Sequence, residues 1–175
     1  WDSPTDTNYD RVVTDILNPV GITEKQIQIV WLKLANKNPN ISLTSSSADA
    51  YDLEQSLGQI IRALKIRYPN LQQVFLSSRI YAGYATVPLN PEPYAYESGF
   101  SVKWIIQAQI DQIRNGGTIV DSRAGNLNYN SGTAPWIAWG PYLWADDNNP
   151  RSDGLVWPLS DFDADGTHPL TSGRQ

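Results

Sequence analysis

The sequence contains no cysteine and no methionine, and it has a single histidine. Without cysteine there is no disulfide framework, no thiolate metal site and no cysteine nucleophile. The apolar runs are short and interrupted, so the sequence predicts no membrane-spanning segment. Basic residues are also few, since 13 Lys and Arg stand against 18 Asp and Glu, for a formal net charge of -5. No basic patch is visible, and a nucleic-acid partner is therefore not expected.

Amphipathic aromatic residues are plentiful, with seven Trp and nine Tyr against three Phe. Such side chains suit wet clefts and sugar-binding platforms, although ordinary half-buried packing is the more common role of any single Trp. A length of 175 residues with 41% hydrophobic content is enough for a single domain with its own core. Because both ends look cut, we expect residues 1–175 to be a fragment or a processed chain. The lack of cysteine and the aromatic, polar loops favour an extracellular or secreted location.

Hydrophobic periodicity predicts helices that alternate with strands. The expected helices cover residues 9–17, 50–67 and 99–115, and the expected strands cover 26–34, 71–77, 118–120 and 136–139. Thr5 or Thr7 is the expected cap of the first helix and Asp49 that of the second. This order favours a three-layer α/β/α fold with a flavodoxin-like parallel sheet that is incomplete at its N-terminus. Ligands bind beyond the carboxyl ends of such strands.

The closing stretch, residues 161–175, carries three alternating aspartates and the histidine, and two chemistries compete for it. Asp161, Asp163 and Asp165 before a glycine match the start of a calcium loop, but Ser172 occupies the twelfth position, where an acid is required. Alternatively, Asp165 lies three residues before His168 in a turn. There the carboxylate can accept from the ring N–H and leave the other ring nitrogen free as a base. A helix is expected to begin just after this turn.

Several segments resemble a group of large, mostly uncharacterised proteins of the SGNH, or GDSL-type, hydrolase superfamily. The segments are VWLKLAN (30–36), FLSSRIYAGYATVPLNPEPYAYESGFSVKW (75–104), APWIAWGPYLWAD (134–146), RSDGLVW (151–157) and DGTHP (165–169). The superfamily comprises esterases, lipases and carbohydrate deacetylases on a flavodoxin-like three-layer fold. The resemblance implies that Asp165 is the acid and His168 the base of a catalytic triad. It also makes Asn36 the candidate for the oxyanion-hole asparagine.

The chain departs from the family pattern at two places. The Gly and the Asp that flank the family's oxyanion asparagine are absent around Asn36, where the sequence reads LANK (34–37). The nucleophilic serine motif is absent from residues 1–35, where Ser3 stands in a polar loop before a proline. An N-terminal segment of the same protein is therefore expected to supply the serine.

Three residues near strand ends are candidates for substrate binding. Arg79 and Tyr81 follow the second strand, and Trp139 ends the third. A cation and a phenol suit a substrate carboxylate or sugar hydroxyls, whereas pairing of Arg79 with Glu97 is the structural alternative. Trp139 and its aromatic neighbours fit either a sugar platform or packing of the long loop over residues 80–98.

Two functions follow from these observations. The first is an SGNH-like serine esterase or deacetylase that acts on an ester of a carbohydrate, with this chain supplying the Asp–His part of the triad. The second is a non-catalytic carbohydrate-binding or structural module with the same fold. In either case no cofactor and no metal is expected, and the partner is a carbohydrate or other small molecule.

Overall fold

The computed structural model describes residues 1–174 and confirms the α/β class. The helices are α1 (Thr7–Val12), α2 (Asp49–Arg67) and α3 (Tyr94–Arg114), and the strands are β1 (Ile29–Lys33), β2 (Gln73–Ser77) and β3 (Trp136–Trp139). The strands form one parallel sheet in the order β1-β2-β3. Each strand lies beside its successor, as in one half of a flavodoxin-like sheet, and the sheet is incomplete. No described helix is long and apolar enough to cross a bilayer.

The ends of the first helix and of the first strand differ from the prediction, because the residues next to them form turns. Asp6, and neither Thr5 nor Thr7, caps α1 by accepting from the N–H of Asn8 at 2.8 Å. The helix then continues as a π-helical turn, Val13–Leu17. The strand predicted over 26–34 is shorter, since Glu24–Gln26 form a 3₁₀ turn that a capping box closes.

Two other predicted elements also change. The helix α3 begins well before residue 99, because the Glu92 carboxylate accepts from the N–H of Tyr96 in its first turn at 3.0 Å. The strand expected at 118–120 is wrong, since these residues form no regular structure and Ile119 and Val120 are half exposed. Asp49 is the first residue of α2. Its carboxylate accepts from the N–H groups of the preceding segment, those of Asn40 and Ile41.

The described chain divides into two compact units, each built from three segments. Unit 1 comprises Trp1–Leu32, Glu54–Leu76 and Val102–Gly140, and unit 2 comprises Lys33–Leu53, Ser77–Ser101 and the chain from Pro141 onward. Unit 1 therefore holds nearly all of the sheet, and unit 2 holds the segments that follow the carboxyl ends of the strands.

In unit 1, two buried glutamines of α3 connect the helix to the segment before β3. Gln109 donates to the carbonyls of Leu127 and Pro135 at 2.9 and 2.8 Å, and it accepts from the N–H of Ile137 at 2.7 Å. Gln112 accepts from the N–H of Leu127 at 2.7 Å. These glutamines thus pair backbone groups that would otherwise be buried beside the sheet without a hydrogen bond.

In unit 2, loops pack on a small aromatic core. Its buried members are Ile80, Ala145, Trp157 and Phe162, and the partly buried Tyr81, Tyr84, Leu143 and Leu155 pack against them. The Glu92 carboxylate accepts from the Ala82 N–H at 3.0 Å and from the Trp144 indole N–H at 2.8 Å. The long loop over residues 80–98 is therefore held by its own carboxylate as well as by its aromatic residues.

Candidate functional site

The closing segment of unit 2 folds as a narrow loop that displays His168. An isolated antiparallel bridge joins Phe162 to Pro169. Inside it, the N–H of Asp163 donates to the carbonyl of His168 at 2.8 Å, and the N–H of Leu170 donates to the carbonyl of Asp161 at 2.8 Å. The ends of the loop are thereby fixed, and residues 163–168 form its tip.

Asp165 accepts three hydrogen bonds in this turn, two of them from His168. One carboxylate oxygen accepts from the N–H groups of Thr167 at 2.9 Å and His168 at 3.0 Å, and the other lies 2.5 Å from Nδ1 of the imidazole. The backbone N–H of His168 and then its ring hold the pKa of Asp165 well below its usual range, at about 2. The carboxylate is therefore ionised at neutral pH and orients the ring by accepting from Nδ1–H.

The loop is anchored on the core of unit 2. Phe162 at its base lies edge-on to Tyr84, with ring centroids 5.5 Å apart. The N–H of Thr86 donates to the carbonyl of Asp165 at 3.0 Å. Gly166 has a φ of +64°, and a Cβ there would lie 1.9 Å from the carbonyl oxygen of Tyr84. Only glycine fits this close approach. Asp165 and His168 are therefore fixed to the long loop through backbone contacts.

The other nitrogen of the His168 ring is available to a reactant. The His168 side chain is 60% exposed, and among residues 1–174 its Nε2 has no hydrogen-bond partner. A ring held at Nδ1 by a carboxylate and open at Nε2 is able to act as a general base. Ser3, the only serine before residue 35, belongs to unit 1, where its hydroxyl pairs with that of Thr5 at 2.8 Å.

Arg79, also in unit 2, has an unpaired donor edge. Its backbone N–H donates to the Ser98 hydroxyl at 3.1 Å, but Nε and Nη2 of its guanidinium are buried without a partner in the described chain. Burial lowers the pKa of Arg79, and the charges of Glu92 and Asp165 oppose that shift. The alternative pairing with Glu97 does not form. Oε1 of Glu97 accepts from the N–H of Leu43 at 2.9 Å, and Oε2 is buried without a partner in the described chain.

Asn36 lies in a small polar cavity of unit 2. Its side-chain amide donates to the backbone carbonyl of Asp49 at 2.7 Å, and its backbone carbonyl accepts from the side-chain amide of Asn90 at 3.3 Å. Glu97 and Ser98 also line the cavity. One amide hydrogen of Asn36 is thus used within the fold. Its role at an oxyanion stays a prediction.

The predicted aromatic contacts to substrate divide between the two units. Tyr81 is packed in unit 2, with its ring centroid 5.2 Å from that of Tyr84 and 6.3 Å from that of Trp144. Its hydroxyl lies against Gly83, where a Cβ would approach it to 2.0 Å. Trp139 lies at the end of β3 in unit 1 and is 40% exposed. Tyr81 therefore supports the core of unit 2, and a sugar contact for Trp139 remains a prediction.

No calcium ligand set forms around Asp161, Asp163 and Asp165 in the part of the chain that the structure describes. No group of three or more His, Cys, Asp or Glu side chains there is placed to hold a metal ion. Asp163 accepts from the N–H of Ala164, and Asp165 is used by His168. Two other acidic loop residues also have partners. Asp147 accepts from the hydroxyl of Tyr84, and Asp153 accepts from the guanidinium of Arg151.

Sequence reasoning missed Glu92, whose carboxylate orders the long loop and contributes negative charge near Arg79. Its only signal was its place between two prolines, which predicts a fixed backbone but no partner. No family model matches this chain, and no solved structure matches it, so the case for a function comes from its own residues.

Proposed function

We propose that the chain is the acid–base part of an SGNH-like serine ester hydrolase. The contact between Asp165 and His168 carries the proposal, because an ionised carboxylate fixes a ring whose second nitrogen is open. The two residues are three apart, as in the D-x-x-H motif that the closing segment resembles.

The proposed chemistry uses His168 as a proton carrier. A serine from a segment outside these 175 residues attacks the ester carbonyl while Nε2 of His168 takes the hydroxyl proton. The imidazolium gives that proton to the departing alcohol, and water then releases the acid by the same steps. Asp165 stabilises the imidazolium through Nδ1–H. Asn36 is proposed as one donor to the oxyanion, through its remaining amide hydrogen. An ester on a carbohydrate fits the polar, aromatic surroundings better than a long lipid does.

A fluorophosphonate probe applied to the intact protein tests the enzyme directly. We expect labelling of one serine, slowed by about 10³-fold or more in His168→Ala. Asp163→Asn is the matched control, because Asp163 lies in the same loop but contacts only the backbone. Absence of labelling, or an equal rate in His168→Ala, would rule the enzyme out.

A non-catalytic carbohydrate-binding module is the second candidate. Exposed aromatic rings in unit 2 favour it, since Tyr96 and Tyr142 are 41% and 39% exposed. A glycan-array screen of the chain checks this candidate. Binding that persists in His168→Ala and is lost in Tyr96→Ala would support it, and a screen without hits would count against it.

A further inference from the structure

Arg79 presents a pair of parallel N–H donors that the protein leaves unused. In a guanidinium, Nε–H and one terminal N–H point the same way and match the two oxygens of a carboxylate. In Arg79 these nitrogens, Nε and Nη2, are both buried and have no acceptor among residues 1–174. A buried donor without an acceptor costs about 1–3 kcal/mol, and more when it is charged. Such a cost is offset when a ligand supplies the acceptors.

Two carboxylates whose charges act on Arg79, those of Glu92 and Asp165, accept hydrogen bonds from other donors. Glu92 accepts from the backbone N–H groups of Ala82 and Tyr96 and from the indole of Trp144. Asp165 accepts from two backbone N–H groups and from the ring of His168. Their charges act on Arg79, but neither makes a salt bridge with it. Two negative charges thus act on Arg79, but neither carboxylate accepts from Nε or Nη2 of its guanidinium.

A second cation stands near the same place. The pKa of Lys33 is lowered, first by burial and then by the positive charge of Arg79. Two cations that repel each other, one with a free donor edge, favour an anion between or beside them. The negative charges of Glu92 and Asp165 disfavour a doubly charged anion, and a singly charged carboxylate therefore fits better than a phosphate.

We propose that Nε and Nη2 of Arg79 bind a carboxylate side-on, and that the substrate is an ester of an acidic, uronate-type sugar. The assignment of this ester as a substrate rests on the proposed hydrolase, whereas the carboxylate-binding site does not. Because the charge of Asp165 acts on Arg79, the bound acid lies within electrostatic reach of the residue that orients His168.

The test follows the Nε–H resonance of Arg79 in ¹H–¹⁵N NMR spectra of the 175-residue chain. The probes are glucuronate, glucose as its neutral match, lactate as a small hydroxy acid, and inorganic phosphate. We expect glucuronate to shift the resonance saturably and glucose to leave it unchanged. Weaker binding of lactate than of glucuronate would identify the sugar acid as the source of the carboxylate. Stronger binding of phosphate or lactate, or an equal response to glucose, would overturn the proposal.

Two variants separate recognition by the donor edge from simple charge. Arg79→Lys keeps the charge but removes the parallel donors, and we expect glucuronate to bind at least about tenfold more weakly. Arg151→Lys is the matched control, because that guanidinium already pairs with Asp153 and with the carbonyls of Tyr142 and Trp144. Equal affinity in Arg79→Lys, or no glucuronate binding to the unmodified chain, would also contradict the proposal. For these variants, binding is measured from the glucuronate-dependent shifts of the backbone amide resonances.

The proposed site and the proposed enzyme fail in different ways. Carboxylate binding that survives when the intact protein takes no fluorophosphonate would remove the hydrolase and keep the site. Serine labelling that depends on His168, without any glucuronate binding, would keep the hydrolase and remove the acidic substrate.

Discussion

At the scale of single residues, Asp165 combines a structural role with a chemical one. Its first carboxylate oxygen closes the turn by accepting two backbone N–H groups, and its second accepts from the imidazole. The pKa of about 2 means that both roles are retained over the whole range in which an esterase works. As a depressed value, it predicts that these contacts weaken only when the pH falls from the ordinary 3.8 towards 2.

The tautomer of His168 should depend on Asp165. In the unmodified chain the carboxylate favours a proton on Nδ1. In Asp165→Asn the amide oxygen still takes the backbone N–H groups, so its NH₂ faces the ring and favours a proton on Nε2. Long-range ¹H–¹⁵N NMR of the neutral ring distinguishes the tautomers.

The ring spectrum of Asp163→Asn should match that of the unmodified chain, because Asp163 does not touch the imidazole. Identical ring spectra in Asp165→Asn and the unmodified chain would mean that the carboxylate does not set the tautomer.

At the scale of elements, the closing loop depends on a glycine that meets two demands at once. Gly166 has a left-handed φ of +64°, and its Cα lies against the carbonyl of Tyr84. Gly154, in the same unit, has a φ of +86° but nothing within 4 Å of a Cβ built on it. The two positions share the backbone requirement and differ in the available space.

Replacing each glycine by alanine should therefore separate strain from contact. We expect Gly154→Ala to lower the free energy of unfolding by about 1 kcal/mol, the cost of a left-handed alanine. Gly166→Ala should cost about 1–3 kcal/mol more, since the backbones of the loop and of residue 84 must move apart. Urea unfolding of both variants gives the difference, and equal losses would show that the close approach is not kept in solution.

The predictable elements are those whose own residues decide their structure. The helix α2 was predicted within one residue because its apolar residues recur at helical spacing, and β3 was predicted with its observed ends, 136–139. The start of α3 was not, because the carboxylate that caps its first turn lies in the preceding loop. Residues 118–120 have the apolar pattern of a strand, but they join no sheet in the described chain and lie in an exposed loop.

In the candidate site, too, contacts between residues close in sequence were predictable and contacts between distant segments were not. Asp165 and His168 are close in sequence, and a turn brings their side chains together, so their contact was predictable. The surroundings of Arg79 depend on how loops fold back. Pairing with Glu97 was the structural alternative to substrate binding, but one oxygen of that carboxylate accepts from a backbone N–H of a distant segment and the other has no partner among the described residues. No local pattern carries that information.

At the scale of the whole molecule, each unit buries charge that it does not neutralise. In unit 2 this is the guanidinium of Arg79. In unit 1 it is Glu54 on α2, which is 2% exposed and whose Oε1 has no partner among the described residues. Burial raises the pKa of Glu54 to about 7, and the nearby carboxylate of Asp121 adds to the rise. Because the pKa of this buried carboxyl lies near neutrality, Glu54 makes the stability of the fold depend on pH.

The effect of Glu54 has a definite sign. Its pKa in the folded protein lies above the ordinary value of 4.5, so the folded state binds the proton more tightly than the unfolded state does. The stabilisation is complete below about pH 4.5 and is lost as the pH rises through 7. The shift corresponds to about 3 kcal/mol of unfolding free energy over that window.

Glu54→Gln should therefore remove most of this pH dependence, because the amide stays neutral and can still donate to Asp121. In urea unfolding between pH 5 and 8, we expect the unmodified chain to lose stability relative to Glu54→Gln as the pH rises. Asp52→Asn is the control, since it removes an exposed carboxylate from the same helix and leaves Glu54 in place. If the unmodified chain and Glu54→Gln keep a constant difference from pH 5 to 8, Glu54 does not titrate there and its carboxyl is not buried as the structure places it. A difference that widens with pH while the control stays level would identify Glu54 as the group that makes unit 1 less stable in neutral than in mildly acidic solution.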